Sequence, residues 1–329
     1  MDEPIHQPHD KFIKKALSDP ADAASFFQQR IPPEIVAAID WSGLRLEAGT
    51  FIDSRFRDFE TDLLFCAPIA GSGRSCWIYL LFEHLSELRE QPALKLLRYM
   101  VRIWEQCRTT DAQTELAPII PVVLAQNARE WKVGTQFSEE FRIPDALREE
   151  LAAFIPDFRF EWMQLACVPY HELKGTPVLK LALRTLKAEW VGELLKEEVW
   201  DEELMAAVRQ PFLEAFFRYM VSEIGSTGID KTAFDRRVKS IRNSKIQTQA
   251  MTIAEEYRQE GRQIGWQEGR QEGKIEMQRL AIFDILEVRF GEVPEGLREA
   301  ICQISDLDHL RGLQRQAVKC SALNDFLQS

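Results

Sequence analysis

The chain has 329 residues, of which 45% are apolar, enough to bury one large core or two smaller ones and to place it among soluble globular proteins. No window approaches about 18 consecutive apolar residues and the opening "MDEPIHQPHDKF" is polar and acidic, which excludes a legible signal peptide or membrane span and makes the cytoplasm the expected address. A net charge of -11 argues against non-specific coating of nucleic acid, while a local basic face could still meet phosphates.

Residues 10 to 30 carry apolar residues at helical spacing in two short runs, and Ser18 or Asp19 followed by Pro20 reads as a helix start. From Leu44 the texture turns to β. "LRLEAGTF", "TDLLFCAPI" and "CWIYLLFEH" predict a three-stranded meander, with "AGSGRS" supplying the turn chemistry of a hairpin. Pro92 then opens a helix, "PALKLLRYMVRIWEQC", with apolar residues at 94, 97, 101 and 104 and again at 96, 100, 103 and 107. A helix apolar over more than half its surface packs against a sheet. "APIIPVVLAQN" and "FEWMQLACVPY" read as two further buried strands joined by an irregular stretch. The expected fold class is mixed α/β up to about residue 170.

Beyond residue 175 the pattern is helical throughout. Residues 251 to 279 form a charged, low-complexity tract with glycines at 261, 265, 269 and 273, after which amphipathic helices return with a Gly-Glu-Val-Pro break. The expected units are a core over 1–175, a helical extension over 176–250, a Gly-repeat helical linker over 251–279 and a small helical module over 280–329. Four helix-interior glycines cost roughly 4 kcal/mol relative to alanine. Their spacing of four would let a second helix approach closely, predicting a homo-oligomer formed through 251–279; a flexible, partly helical tether is the other reading. The six cysteines are scattered with no CxxC pair, so reduced thiols and no zinc site are expected.

The chemistry is concentrated at the hairpin. Along an extended strand Glu83 and Leu85 share one face and His84 the other. Asp62 opens the preceding strand, and folding about residues 71 to 75 brings it alongside Glu83. Two carboxylates held together repel unless a cation sits between them, and a hard ion such as Mg²⁺ or Mn²⁺ suits oxygen ligands. Such an ion can orient water and stabilise a phosphodiester under attack. The same residues are also accommodated by a strand-start turn at Asp62 and an arginine partner for Glu83. His84 reads as a hydrogen-bonded core residue. Ser86 has no legible His and Asp partners for nucleophilic chemistry.

The blocks "HDKFIKKALSDPADAASFF", "IPPEIV", "LRLEAGTFIDSRFRDFETDLLF", "WIYLLFEHLSE", "LKLLRYMVRIWE", "LAPIIPVVL" followed by a tryptophan, and "MTIAEEYRQEGRQIGWQEGRQEG" together resemble the Rpn (YhgA-like) family of recombination-promoting nucleases and transposases. That family is similar to PD-(D/E)xK restriction-type nucleases. The resemblance implies a restriction-endonuclease-like mixed sheet flanked by helices and an all-helical C-terminal region. It also implies a metal-dependent DNA endonuclease linked to recombination or mobile elements, acting on double-stranded DNA with no nucleotide cofactor. Asp62 and Glu83 match the family's metal ligands, and His9 with Asp10 matches its first-helix block, where a charged residue can orient the site.

Leu85 departs from the pattern. It stands where the superfamily has lysine and the Rpn family glutamine, and leucine cannot donate a hydrogen bond to the attacking water or the scissile phosphate. Ala125, Gln126 and Asn127 replace the family's Tyr-His-Gly, and "WMQLACVPY" lacks the acidic residue many members carry. Lys95, Arg98 and Arg102 follow i, i+3, i+7 spacing on one helical stripe. Lys95 is the candidate substitute donor, and Arg98 and Arg102 are candidate contacts to the DNA backbone. The alternative is a catalytically inactive nuclease-fold protein that binds DNA or a protein partner and oligomerises through its C-terminal helices.

Overall fold

The structure, a computed structural model, describes residues 8–47, 63–83, 92–110, 115–125, 134–226, 230–323 and 326. Its chain order opens with helices α1 (Pro8–Leu17), α2 (Pro20–Phe27) and α3 (Pro33–Ala38). Proline sits at the start of α2 because its missing N–H costs nothing in a first turn, and Asp19 caps the helix by accepting from the Ala21 N–H at 3.0 Å.

Five strands follow in one sheet: β1 (Arg45–Leu46), β2 (Leu63–Pro68), β3 (Ser75–Glu83), β4 (Ile119–Ala125) and β5 (Glu161–Gln164), ordered β1-β2-β3-β4-β5. The first three strands pair antiparallel, as the meander predicted. The β2–β3 hairpin turns through Gly71 and Gly73, both at positive φ (69° and 65°), a conformation that glycine adopts without a Cβ penalty. β3, β4 and β5 pair in parallel, and the β3 to β4 connection runs through the long helix α4 (Pro92–Thr110). Parallel neighbours require such a crossover.

Strand alternation divides the core between the two faces of the sheet. Phe65, Ile78, Leu80, Phe82, Val122, Leu124 and Met163 join the larger cluster; Leu64, Tyr79, Leu81 and Val123 join a smaller one with α4. α4 meets the sheet through Leu96, Tyr99, Met100 and Ile103. Leu94 and Val101 remain exposed, so the helix is apolar over a wider arc than it buries. Between β4 and β5 lies the short helix α5 (Arg148–Ala152).

The larger cluster unites the other sheet face with α1 and α2 and with α6 (Pro177–Trp190), α7 (Glu202–Ala207), α8 (Gln210–Ser226) and α9 (Lys231–Lys239). The chain divides into two compact units, Met1–Ala254 and Glu255–Ser329. Within the first, the post-sheet helices share one core with the sheet rather than forming a core of their own. A polar tie reinforces this: buried Asp22 on α2 accepts hydrogen bonds from the Thr176 hydroxyl, at 2.5 Å, and from the partly exposed Arg209 guanidinium.

The 47-residue helix α10 (Ser244–Phe290) runs through the charged tract without interruption and joins it to the C-terminal module. Gly291, at φ 83°, ends it; α11 (Glu295–Cys302) and α12 (Leu307–Lys319) then close a small cluster around Ile282, Leu286, Ile301 and Leu310. Every residue from 259 to 274 is exposed. A Cβ built on any of the four glycines of the tract meets no atom within 4 Å. Among the described residues, no helix is long and apolar enough to cross a membrane.

Candidate active site

The three parallel strands end together. Glu83, the last residue of β3, pairs with Ala125, the last of β4, and Ala125 pairs with Gln164, the last of β5. The C-terminal edge of the parallel strands therefore carries a carboxylate, a methyl group and an amide in successive strands. In open α/β sheets ligands bind outside such carboxyl ends. Gln164 is the residue that sequence reading passed over. Gln164 closes β5 and is 7% exposed, and its place beside Ala125 comes from the pairing of β4 with β5 rather than from the strand's own pattern.

The β2–β3 register pairs Leu63 with Leu80 and places Glu83 three residues beyond that pair. Asp62 and Leu85 lie outside the described residues, as do His84, Ser86, Gln126 and Asn127. The structure thus positions the backbone of one of the two expected metal ligands. Lys95, Arg98 and Arg102 all fall on α4, at the expected helical spacing. Arg98 is exposed, and Lys95 and Arg102 are half-buried. α4 packs on the sheet face that buries Tyr79 and Leu81. The candidate substitute donor is therefore carried by the helix that covers this face.

His9 is held by α6 and α8. Its Nδ1 lies 2.7 Å from the Tyr219 hydroxyl on α8 and 3.9 Å from Glu189 Oε2 on α6. Burial pushes the imidazole pKa below its ordinary value. Burial, with the charges of Glu189 and Glu223, keeps the Tyr219 hydroxyl protonated far above the usual range. Phe12 stacks on Tyr219 with ring centroids 4.4 Å apart, fixing the start of α1 against α8.

A mixed sheet whose parallel strands deliver a glutamate to one edge, flanked by helices and followed by an all-helical region, is the class of architecture defined here. The family described as "Putative transposase, YhgA-like" matches residues 7–210, and the chain belongs to it. Similar proteins include the recombination-promoting nuclease RpnC of Escherichia coli K12, 24% identical over 64% of this chain and 64% of its own length. RpnA of the same strain is 25% identical over 77% of this chain and 84% of its own. The inactive recombination-promoting nuclease-like protein RpnE, also of that strain, is 26% identical over 77% of this chain and 82% of its own. The match to RpnD of E. coli O157:H7 covers 57% of that protein, so the chain spans about three fifths of the length of RpnD and RpnC. No solved structure matches the chain.

Proposed function

We propose that the protein is a metal-dependent DNA endonuclease of the Rpn type, hydrolysing phosphodiester bonds of duplex DNA in recombination or the movement of mobile elements. The observation that carries this reading is the delivery of Glu83 to the shared end of three parallel strands, in a chain belonging to a family with nuclease relatives. Asp62, next in sequence to the first described residue of β2, and Glu83 would hold the ion. Their carboxylates are the oxygen donors that Mg²⁺ and Mn²⁺ take. When bound, the ion supplies Lewis-acid stabilisation of the phosphoryl oxygens and a more acidic water.

The chain's own residues then have three tasks. One is to donate a hydrogen bond where Leu85 cannot. Lys95 on α4 supplies an ammonium for that purpose, and Gln164, two strands across from Glu83, supplies an amide of the type the Rpn family places at Leu85's position. The second is to orient the duplex, for which exposed Arg98 and its stripe neighbour Arg102 offer backbone phosphate contacts. The third is assembly: the open glycine stripe of α10 supports close pairing with a second copy.

A second reading follows from the Leu85 departure and from the similarity to inactive RpnE. In it the chain keeps the fold, binds DNA or a protein partner and does not cleave. Nicking of supercoiled plasmid by the full chain, in Mg²⁺ against EDTA and with Leu85→Gln and Leu85→Lys alongside, decides between them. The endonuclease reading expects Mg²⁺-dependent nicking that Leu85→Gln or Leu85→Lys increases. Retained DNA binding with no cleavage by any of the three proteins establishes the second reading instead.

A further inference from the structure

Three helices of the N-terminal unit converge through one histidine and two glutamates. His9 lies in the first turn of α1, Glu189 in the last turn of α6 and Glu223 in the last turn of α8. One ligating atom from each lies within 4.8 Å of the other two. His9 and Glu189 are half-buried, and Glu223 is 4% exposed. We propose that His9, Glu189 and Glu223 form a divalent transition-metal site, distinct from the Asp62 and Glu83 pair and taking Zn²⁺ or Mn²⁺ rather than Mg²⁺.

The donor chemistry sets the class of ion. One imidazole and two carboxylates are the mixed nitrogen and oxygen set of zinc and related first-row ions, whereas Mg²⁺ and Ca²⁺ take oxygen ligands and, for Mg²⁺, water. At metal–ligand distances of about 2.0–2.2 Å, tetrahedral ligand atoms stand about 3.5 Å apart. The three donors need to draw together by only about 1 Å, which rotation of two glutamate side chains supplies.

The helix ends favour a cation as well. Glu189 and Glu223 both sit at helix C-termini, where the partial negative charge of the peptide dipoles disfavours a carboxylate and favours a positive ion. Around the donors, the Tyr219 hydroxyl lies 2.7 Å from His9 Nδ1, so ligation through Nε2 keeps that hydrogen bond to orient the ring, whereas ligation through Nδ1, which also faces Glu189, displaces it. The Ser222 hydroxyl, which donates to the Tyr219 carbonyl at 2.8 Å, lies 3.4 Å from Glu223 Oε1. The scaffold is rigid: Phe12, one turn along from His9, stacks against both Phe212 and Tyr219 of α8. An ion here would tie the start of α1 to the ends of α6 and α8, and three protein donors would leave a fourth position for water, the ligand count of an open rather than a closed zinc site.

The test uses the full chain titrated with Zn²⁺ and, for its visible spectrum, with Co²⁺. The expected result is one saturable equivalent, weakened at least tenfold in His9→Gln and Glu189→Gln and unchanged in Asp62→Ala and Glu83→Ala. X-ray absorption of the Zn²⁺-loaded wild type is expected to show mixed nitrogen and oxygen ligands including an imidazole, a readout that stands even if one variant fails to fold. No saturable binding by the wild type, a sulfur-dominated ligand set, or His9→Gln and Glu189→Gln binding as well as wild type would overturn the proposal. Because the Asp62 and Glu83 variants run in parallel, loss of nuclease activity and loss of this site are read separately.

Discussion

The two compact units of this chain earn their structure by different means. Residues 1–254 fold a sheet and its helices around a shared apolar core that continues to Ile253 and Ala254 on α10. Among the described residues of 255–329, nine apolar residues are buried in one small cluster, and sixteen successive positions of α10, 259–274, stand exposed. An isolated helix of this kind gains little from propensity when glycines interrupt it, and most helical stability in proteins comes from burial of a face. The lesson is that the first unit is stabilised by packing, whereas the middle of α10 has no packing of its own in a single chain.

The largest effect that sharpens this contrast is Phe65→Ala. Phe65 is fully buried between the sheet and Phe27, and its truncation is expected to destabilise the N-terminal unit by about 3–5 kcal/mol, read by urea unfolding. Leu286→Ala, at a fully buried site of the small cluster, should cost about 2–4 kcal/mol and move only a transition belonging to the C-terminal unit. A single cooperative loss of both units in Leu286→Ala would break the comparison. Asp22→Ala should cost about 1–3 kcal/mol by leaving the Thr176 hydroxyl without its acceptor; the partly solvated guanidinium keeps Asp19 at 3.4 Å, which holds the value below that of a fully buried pair.

The smallest effect is the most informative about α10. Gly265→Ala meets no neighbour in the single chain and should stabilise the helix by about 1 kcal/mol in dilute protein. If copies pair through the glycine stripe, the same substitution weakens the assembly. Sedimentation at several concentrations therefore separates a pairing surface, which loses mass on substitution, from a solvated tether, which does not.

The strands were legible because period-two alternation and the glycines of the turn leave few options, and the sheet-facing stripe of α4 was legible for the same kind of reason. Leu94 and Val101 show where composition misleads, since an apolar residue on a helix is not obliged to be buried. The continuity of α10 from Ser244 to Phe290 was hidden, because a charged tract with glycines has no hydrophobic period to follow across its boundaries. At the candidate site Glu83 could be found from its strand. Gln164 became visible only when the register joined β3, β4 and β5, a long-range pairing that no local pattern encodes. His9 and Glu189 stand 180 positions apart, and only the packing of α1 against α6 and α8 brings them together.

The most direct test of the central claim is the rate at which the full chain nicks duplex DNA in Mg²⁺, measured for wild type, Asp62→Ala and Glu83→Ala at matched DNA binding. The account predicts that wild type cleaves and that each substitution lowers the rate by about 10²- to 10³-fold, the scale set by loss of one transition-state stabilising group. Equal rates for all three proteins would contradict it.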